Sequence, residues 1–454
     1  MSHTSTERTR TDARFRRAFG LTIVALLVLC GLFLGLGYLQ GPKLSSAQVD
    51  TTGVINQTGQ QLRLFANQAI ADVTADQVTL SPETPFTVST SGDIVAVQFT
   101  DRLRYATEYT VSVNGVTSPS GGAGGTLRYS FTTDSPQLYY LDRGDPLDEI
   151  VRTTAAGDTR ESVYSAVGIQ SFVALGKALV VTTIDGETSA LDLVSLTDPG
   201  VAQRLDVPAV GFIEGLAAAT SGTEIGFMIL DEGATAGTPL YWRDLEKSGQ
   251  ANPVTGLDGS PLRALGWRFV PGTSSMLVLT GDKSLLLIDP QGGTVVPLGQ
   301  FQTLLDVSPD GATAIVTDAV GALTLTLATG DQQRLELPAI DAQTQVFLGA
   351  ISRVADGSVL ATAVLAPEYV TAVLRFDETT TSVLYRTVQD AGSIQSFTAS
   401  PNGQYVAIET VPDIAVSTSD GYVADARSTS TTTVIVDLGS GAVVSSFTGF
   451  GLAW

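Results

Sequence analysis

The chain has 454 residues, a formal net charge of −21, one His and one Cys. His3 and Cys30 both fall within the first 40 residues, so the rest of the chain has neither imidazole nor thiol. That excludes Ser-His-Asp and Cys-His nucleophile systems and His- or Cys-ligated zinc, copper and haem there, and the acidic balance excludes nucleic acid as a partner.

Residues 1–17 form a basic tail, with Arg8, Arg10, Arg14, Arg16 and Arg17 against Glu7 and Asp12. Residues 18–40 follow as one charge-free apolar run, long enough as a helix to span a bilayer. Basic residues beside a membrane segment stay cytoplasmic. The expectation is a single-pass type II protein of the cytoplasmic membrane, with its N-terminus inside and everything from Lys43 onward extracytoplasmic. The run exceeds a signal-peptide core, which favours an uncleaved anchor. Cys30 then reads as a thiol embedded in the membrane. Residues 41–60 hold Gly, Pro, Ser, Gln and Thr without periodicity and read as a tether.

From residue 61 the pattern turns to β. Leu62–Leu64, Val78–Leu80, Phe86–Val88, Ile94–Phe99, Tyr109–Val113 and Leu127–Phe131 are short alternating runs separated by Gly, Ser, Pro, Asn and Asp. Such spacing predicts an antiparallel sandwich over residues 61–135. Leu103-x-x-x-Thr107-x-Tyr109 followed by Phe131-Thr132-Thr133 resembles the bacterial Ig-like domains of surface-layer and cell-surface proteins. The resemblance implies a spacer or adhesive module without chemistry of its own.

Residues 136–454 repeat a turn signal. Ser308-Pro309-Asp310-Gly311 and Ser400-Pro401-Asn402-Gly403 each precede an apolar strand, as do Val270-Pro271-Gly272 and Ala355-Asp356-Gly357. A second signal, Leu287-Ile288-Asp289 with Gly293 four residues on, returns as Ile435-Val436-Asp437 with Gly441. The period matches four-stranded propeller blades. Units fall at 167–208, 209–262, 263–300, 301–343, 344–390 and 391–447. Residues 138–166 and 449–454 are each too short for a blade and together complete a seventh. The Ser-Pro-Asp-Gly form resembles Tol-type periplasmic propellers, in a chain whose scarcity of Lys suggests a high-GC, actinobacterial-like source. The fold class expected is thus all-β outside the membrane, an Ig-like sandwich plus a seven-bladed β-propeller, with one N-terminal transmembrane helix.

No catalytic, cofactor-binding or metal-ligating residue is assigned. Asp142, Asp145, Asp148 and Glu149 are the candidate carboxylates for glycoside hydrolysis, which needs two flanking one bond, but they read as solvated turn residues. Arg143-Gly144-Asp145 spells an integrin-binding tripeptide. Tyr139, Tyr140, Trp242, Trp267 and Trp454 read as blade core. Residues 411–433 interrupt the last blade at a length that marks functional or flexible loops, and 231–238 form a shorter excursion. The function expected is binding of an envelope protein or a cell-wall polymer. A carboxylate-dependent glycan enzyme with its site in the propeller funnel, or a self-assembling surface protein, is the alternative. A funnel carboxylate pair would favour the enzyme, and an apolar patch on one rim the binding protein.

Overall fold

The computed structural model describes residue 15 and residues 18–30, 41–198, 200–220, 222–230, 237–247, 249–388 and 391–454. Residues 18–30 are helical and exposed. Among the described residues no helix is long and apolar enough to cross a membrane. Residues 31–40, the second part of the apolar run, lie outside the described residues, as does most of the excursion at 231–238. The chain divides into two units, 1–134 and 135–454.

In the first unit, alternating runs become seven strands. They are β1 (Leu44–Gln48), β2 (Gln61–Ala66), β3 (Val78–Ser81), β4 (Phe86–Ser91), β5 (Ile94–Phe99), β6 (Glu108–Val116) and β7 (Gly125–Thr132). One antiparallel sheet runs β1-β2-β5-β4 and the other β3-β6-β7. Leu62, Leu64, Val95, Val97 and Phe99 of the first sheet are buried, as are Val111, Val113 and Leu127 of the second. Phe131 of β7 stands 6.3 Å from Phe99 of β5 and 5.8 Å from Tyr109 of β6, ring centre to ring centre.

The expected tether at 41–60 is corrected by this unit. Leu44–Gln48 pairs antiparallel with β2, and a helical turn, Gly53–Asn56, buries Val54 and Ile55 completely. Asp50 Oδ1 accepts from Thr52 N and Gly53 N at 3.1 and 2.8 Å and starts that turn. The segment was misread because its strand is polar and its helical turn too short to show a period.

The second unit forms, among the described residues, seven antiparallel blades of four strands, five of them separate four-stranded sheets and two joined into one eight-stranded sheet where Thr238-Pro239 pairs with Arg263-Ala264. Blades 2 to 7 take residues 169–205, 213–253, 263–300, 303–334, 345–386 and 393–448 in chain order. Blade 1 combines Leu138–Asp142, Asp148–Thr153 and Glu161–Ala166 with the C-terminal strand Phe450–Ala453. That last strand lies innermost, pairing Phe450 with Leu141 and Ala453 with Tyr139. This is a β-propeller closed by its own C-terminus.

The turn signals have a physical content. The Ser308 hydroxyl braces its turn, donating to Asp310 Oδ1 at 2.6 Å and accepting from Thr313 N at 2.9 Å. Gly311 supplies φ = +70°. Ser400 and Asn402 repeat the device, with Ser400 Oγ donating to Asn402 Oδ1 at 2.9 Å and Gly403 at φ = +68°. Asp289 Oδ1 accepts from Gln291 N and Gly292 N, and Asp437 Oδ1 accepts from Ser440 N, which closes the second turn type.

Each blade is apolar on both faces, so stacking around the ring buries a continuous core. Every seam between neighbouring blades holds its own apolar cluster. Leu277, Leu285 and Val316 lie between blades 4 and 5, and Val180, Ile225 and Phe227 between blades 2 and 3. The closing seam, blade 7 to blade 1, is built on Leu138, Ala155, Ala407, Ile435 and Leu452. Phe450 reaches the next cluster, with Leu141, Ile169 and Phe172.

Two substitutions test this architecture by urea unfolding. Phe450→Ala removes the buried ring of the closing strand and is expected to cost about 3–5 kcal/mol. Gly311→Ala forces a side chain into positive φ and places its Cβ 2.7 Å from the Pro271 carbonyl oxygen, for an expected cost of about 1–3 kcal/mol.

Candidate functional site

An antiparallel meander with four strands sends alternate connections to opposite ends of the ring. Links between second and third strands share one end with links from each blade to the next. Links between first and second strands, including the Ser-Pro-Asp-Gly turns, share the other end with those between third and fourth. The candidate carboxylates and the 411–433 insertion belong to the first end, which we call the strap end.

There the insertion folds back as a strap anchored to blades 1 and 2. Arg143, in the turn after Leu138–Asp142, pairs with Asp420 at 2.6 Å, and both side chains are buried. The same guanidinium donates to the carbonyls of Asp425 (2.9 Å), Ile169 (3.2 Å) and Gln170 (3.0 Å). It lies 3.9 Å from the Tyr422 ring centre and 4.9 Å from that of Phe450. The Tyr422 hydroxyl donates to Asp148 Oδ2, and burial pushes its phenol up. Arg427 also lies against Phe450, 5.2 Å from its ring centre, and approaches buried Glu409 at 3.7 Å. Glu409 also accepts from Gly451 N at 2.6 Å. The insertion is therefore an anchored element, and the tripeptide Arg143-Gly144-Asp145 has its arginine sealed inside.

The carboxylate cluster is spent on structure. Asp148 is buried and accepts from Ile169 N at 2.7 Å and Gly144 N at 3.2 Å. It is an anchor of the strap rather than the solvated turn residue expected. Asp142 and Glu149 share Arg160, at 2.9 and 2.7 Å, and its hydrogen bond holds the Glu149 carboxyl below the usual range. Tyr139, Tyr140 and Trp267 are buried in the blades.

A cleft of about 390 Å³ lined by blades 4 to 7 opens near the Ser-Pro-Asp-Gly turns. Its lining holds Arg268, Arg353, Ser352 and, among the described residues, one carboxylate, Asp306. Asp306 Oδ2 accepts from Ser352 Oγ at 2.5 Å and Arg353 N at 3.1 Å. Desolvation pushes this carboxyl above its ordinary value despite those donors. The arrangement clamps blade 5 to blade 6 and supplies half of the carboxylate pair a glycosidase needs.

The strap end carries an apolar relief that sequence patterns did not single out. Val167, Val210, Val320, Val388, Val416 and Val423 are the large apolar side chains of the second unit exposed to 70 % or more among the described residues, and all six sit in its connections. At the opposite end the one large apolar side chain exposed in a connection among the described residues is Val201, at 51 %. The tips are held in place. Asp318 Oδ1 accepts from Val320 N at 2.7 Å and Gly321 N at 2.9 Å, while Arg334 grips the same carboxylate at 2.9 Å. The available signal was a lone Val inside a turn, as in Pro208-Ala209-Val210-Gly211 and Asp318-Ala319-Val320-Gly321.

No family model matches this chain, and no curated protein matches it. Solved structures do. The β-propeller domain of Swd1 from Myceliophteria thermophila matches at 13% identity and a TM-score of 0.42, covering 63% of this chain and 88% of that one. Dihydro-heme d1 dehydrogenase NirN in complex with DHE matches at 14% and 0.41, covering 70% and 74%. A Bacteroides thetaiotaomicron protein of unknown function matches at 10% and 0.39, covering 81% and 95%. These are likenesses of fold, and the propeller assignment here rests on the sheet topology.

Removing one partner of a buried pair leaves an uncompensated charge. Arg143→Met is expected to cost about 3–5 kcal/mol and to open residues 413–425 to limited proteolysis, with Arg143→Met/Asp420→Asn recovering part of the loss. For Asp306, the folded value stands above the unfolded one, so its contribution to stability is full at low pH and is lost as pH rises through the folded value. The melting-temperature advantage of Asp306→Asn over the parent should therefore grow from acid to neutral pH.

Proposed function

We propose that this chain is a membrane-anchored, extracytoplasmic binding scaffold. Its propeller would present the strap end to an envelope protein or cell-wall polymer. One observation carries the reading, the concentration of exposed apolar side chains in the connections of that end. The bias of these side chains to one end is what a binding face would require, and an anchored loop that presents Val416 and Val423 costs little ordering on binding.

Anchoring through residues 18–40 is supported by the length of the apolar run and the five arginines before it. The first unit is proposed as an Ig-like spacer. Its support is the two-sheet arrangement and the Tyr109 hydroxyl, which accepts from Arg104 N five residues upstream at 3.0 Å. Immunoglobulin-like sandwiches use a tyrosine hydroxyl bonded to nearby upstream backbone at a sheet corner.

Site-specific photocrosslinking in native cells tests the reading. A crosslinker at position 320 or 388 is expected to trap a discrete envelope component, and one at position 201 is not. Equal trapping at both ends, or none at 320 and 388, would count against it.

A further inference from the structure

The chemistry of the strap end narrows what it would hold, an inference that rests on the scaffold reading. Its connections carry exposed carboxylates around the ring, among them Asp145, Glu187, Asp206, Asp258, Asp341 and Glu368. Several stay ionised into acid. Hydrogen bonds from the Ser260 N–H to Asp258 and from the Thr344 N–H to Asp341 hold those carboxyls below their ordinary value. The basic residues in the same connections are Arg143, Lys283 and Arg427. Arg143 is buried against Asp420, Arg427 is paired with Asp425 and Glu409, and Lys283 Nζ donates to the Gln302 carbonyl at 3.1 Å. Arg334 grips Asp318 and exposed Arg386 ends the strand before Val388, so the surface offered outward is apolar tips set among more carboxylates than cations.

Backbone strain collects at the same end. Among the described residues of the second unit, the non-glycine positions with positive φ are Lys283 (+70°), Tyr369 (+54°) and Asp425 (+52°), and all three lie in these connections. Tyr369 is also exposed, an aromatic ring held outward at a turn tip. Such conformations cost roughly 1–3 kcal/mol each and persist where the surroundings enforce them, commonly at ligand-gripping sites. Fixed tips with alternating apolar and acidic character suit one occupant above others. An anionic polymer or an anionic lipid surface would be repelled. An uncharged glycan could hydrogen-bond the carboxylates through its hydroxyls but would leave their charge unneutralised and the valine tips without apolar partners. A basic chain that carries apolar side chains satisfies both features at once.

We propose that the strap end binds a cationic polypeptide segment, its Lys or Arg side chains meeting the ring of carboxylates and its apolar side chains seating between the valine tips. Full-length protein in neutral detergent is titrated with three labelled peptides of equal length. The first alternates Lys with Leu and Phe, the second replaces Lys by Glu, and the third replaces the apolar residues by Ser. Fluorescence anisotropy should show the first binding tightest, and binding should weaken as salt rises. The Val210→Ser/Val320→Ser/Val388→Ser protein, which loses the apolar tips without a change of charge, should bind it at least about tenfold more weakly, about 1.4 kcal/mol. A Val443→Ser/Val444→Ser protein, altered on the outermost strand of blade 7, should bind as the parent does. Circular dichroism of both variants checks that they fold.

Equal binding of the Glu peptide, or binding unchanged in the triple variant, would overturn the inference. So would retention of the parent, and not the triple variant, on vesicles containing phosphatidylglycerol when no peptide binds. An acidic component trapped by the crosslinker at position 320 would also overturn it while leaving the scaffold reading in place. Absence of any trapped component at 320 and 388 would remove both.

Discussion

Everything in the second unit depends on closing a ring with the two ends of its own sequence. Six seams join blades that follow each other in the chain, so their contacts are nearly local. The seventh joins residues some three hundred positions apart and must overcome the corresponding loop-closure entropy. It does so with a four-residue strand, Phe450–Ala453, and an apolar cluster of small extent around Leu138, Ile435 and Leu452. Polar contacts supplement that cluster. Glu409 takes the Gly451 N–H, Thr433 Oγ1 donates to the Gly449 carbonyl, and Arg143 ties the strap of blade 7 to the inner strand of blade 2 across Phe450. The 411–433 strap is therefore a seam seal first, and its exposed valines ride on that rigid base.

The two ends of the ring divide the work. The Ser-Pro-Asp-Gly turns fold their polar side chains back on their own backbone and nest against neighbouring blades. A Cβ on Gly403 would stand 3.0 Å from Val354 Cγ1 and one on Gly311 would meet the Pro271 carbonyl. Turns this tight expose no large apolar side chain among the described residues. Connections at the strap end range from a single residue to the 411–433 insertion, and in one of them a carboxylate holds backbone N–H groups in place beside an exposed apolar tip. That carboxylate is Asp318 and the tip is Val320. Rigid tips lose little freedom on binding, which is what a recognition surface requires.

Much of the architecture was legible because turn chemistry and strand alternation are local. The alternating runs from Leu62 to Phe131 all became strands, and the blade units read from Pro-Asp-Gly spacing fall on the observed sheets. The pairing of 138–166 with the C-terminus was legible by counting strands. What stayed hidden is what depends on distant partners. Asp148 looks like any turn aspartate until Tyr422 and Ile169 are brought to it. Arg143 looks exposed until Asp420 arrives from blade 7. The strand at Leu44–Gln48 was missed because an edge strand with polar side chains has no hydrophobic alternation to read. The valine tips were missed because a single apolar residue in a turn is unremarkable until all such residues prove to share one end.

Hydrogen exchange measured on the protein in its native membranes, against the purified full-length protein, addresses that shared end most directly. A binding face predicts slower exchange in the native setting at residues 206–212, 318–321, 387–388 and 412–431, with the turns at 308–312, 354–358 and 400–404 unchanged. Exchange that slows at those turns instead, or at neither end, would contradict the assignment of function to the strap end.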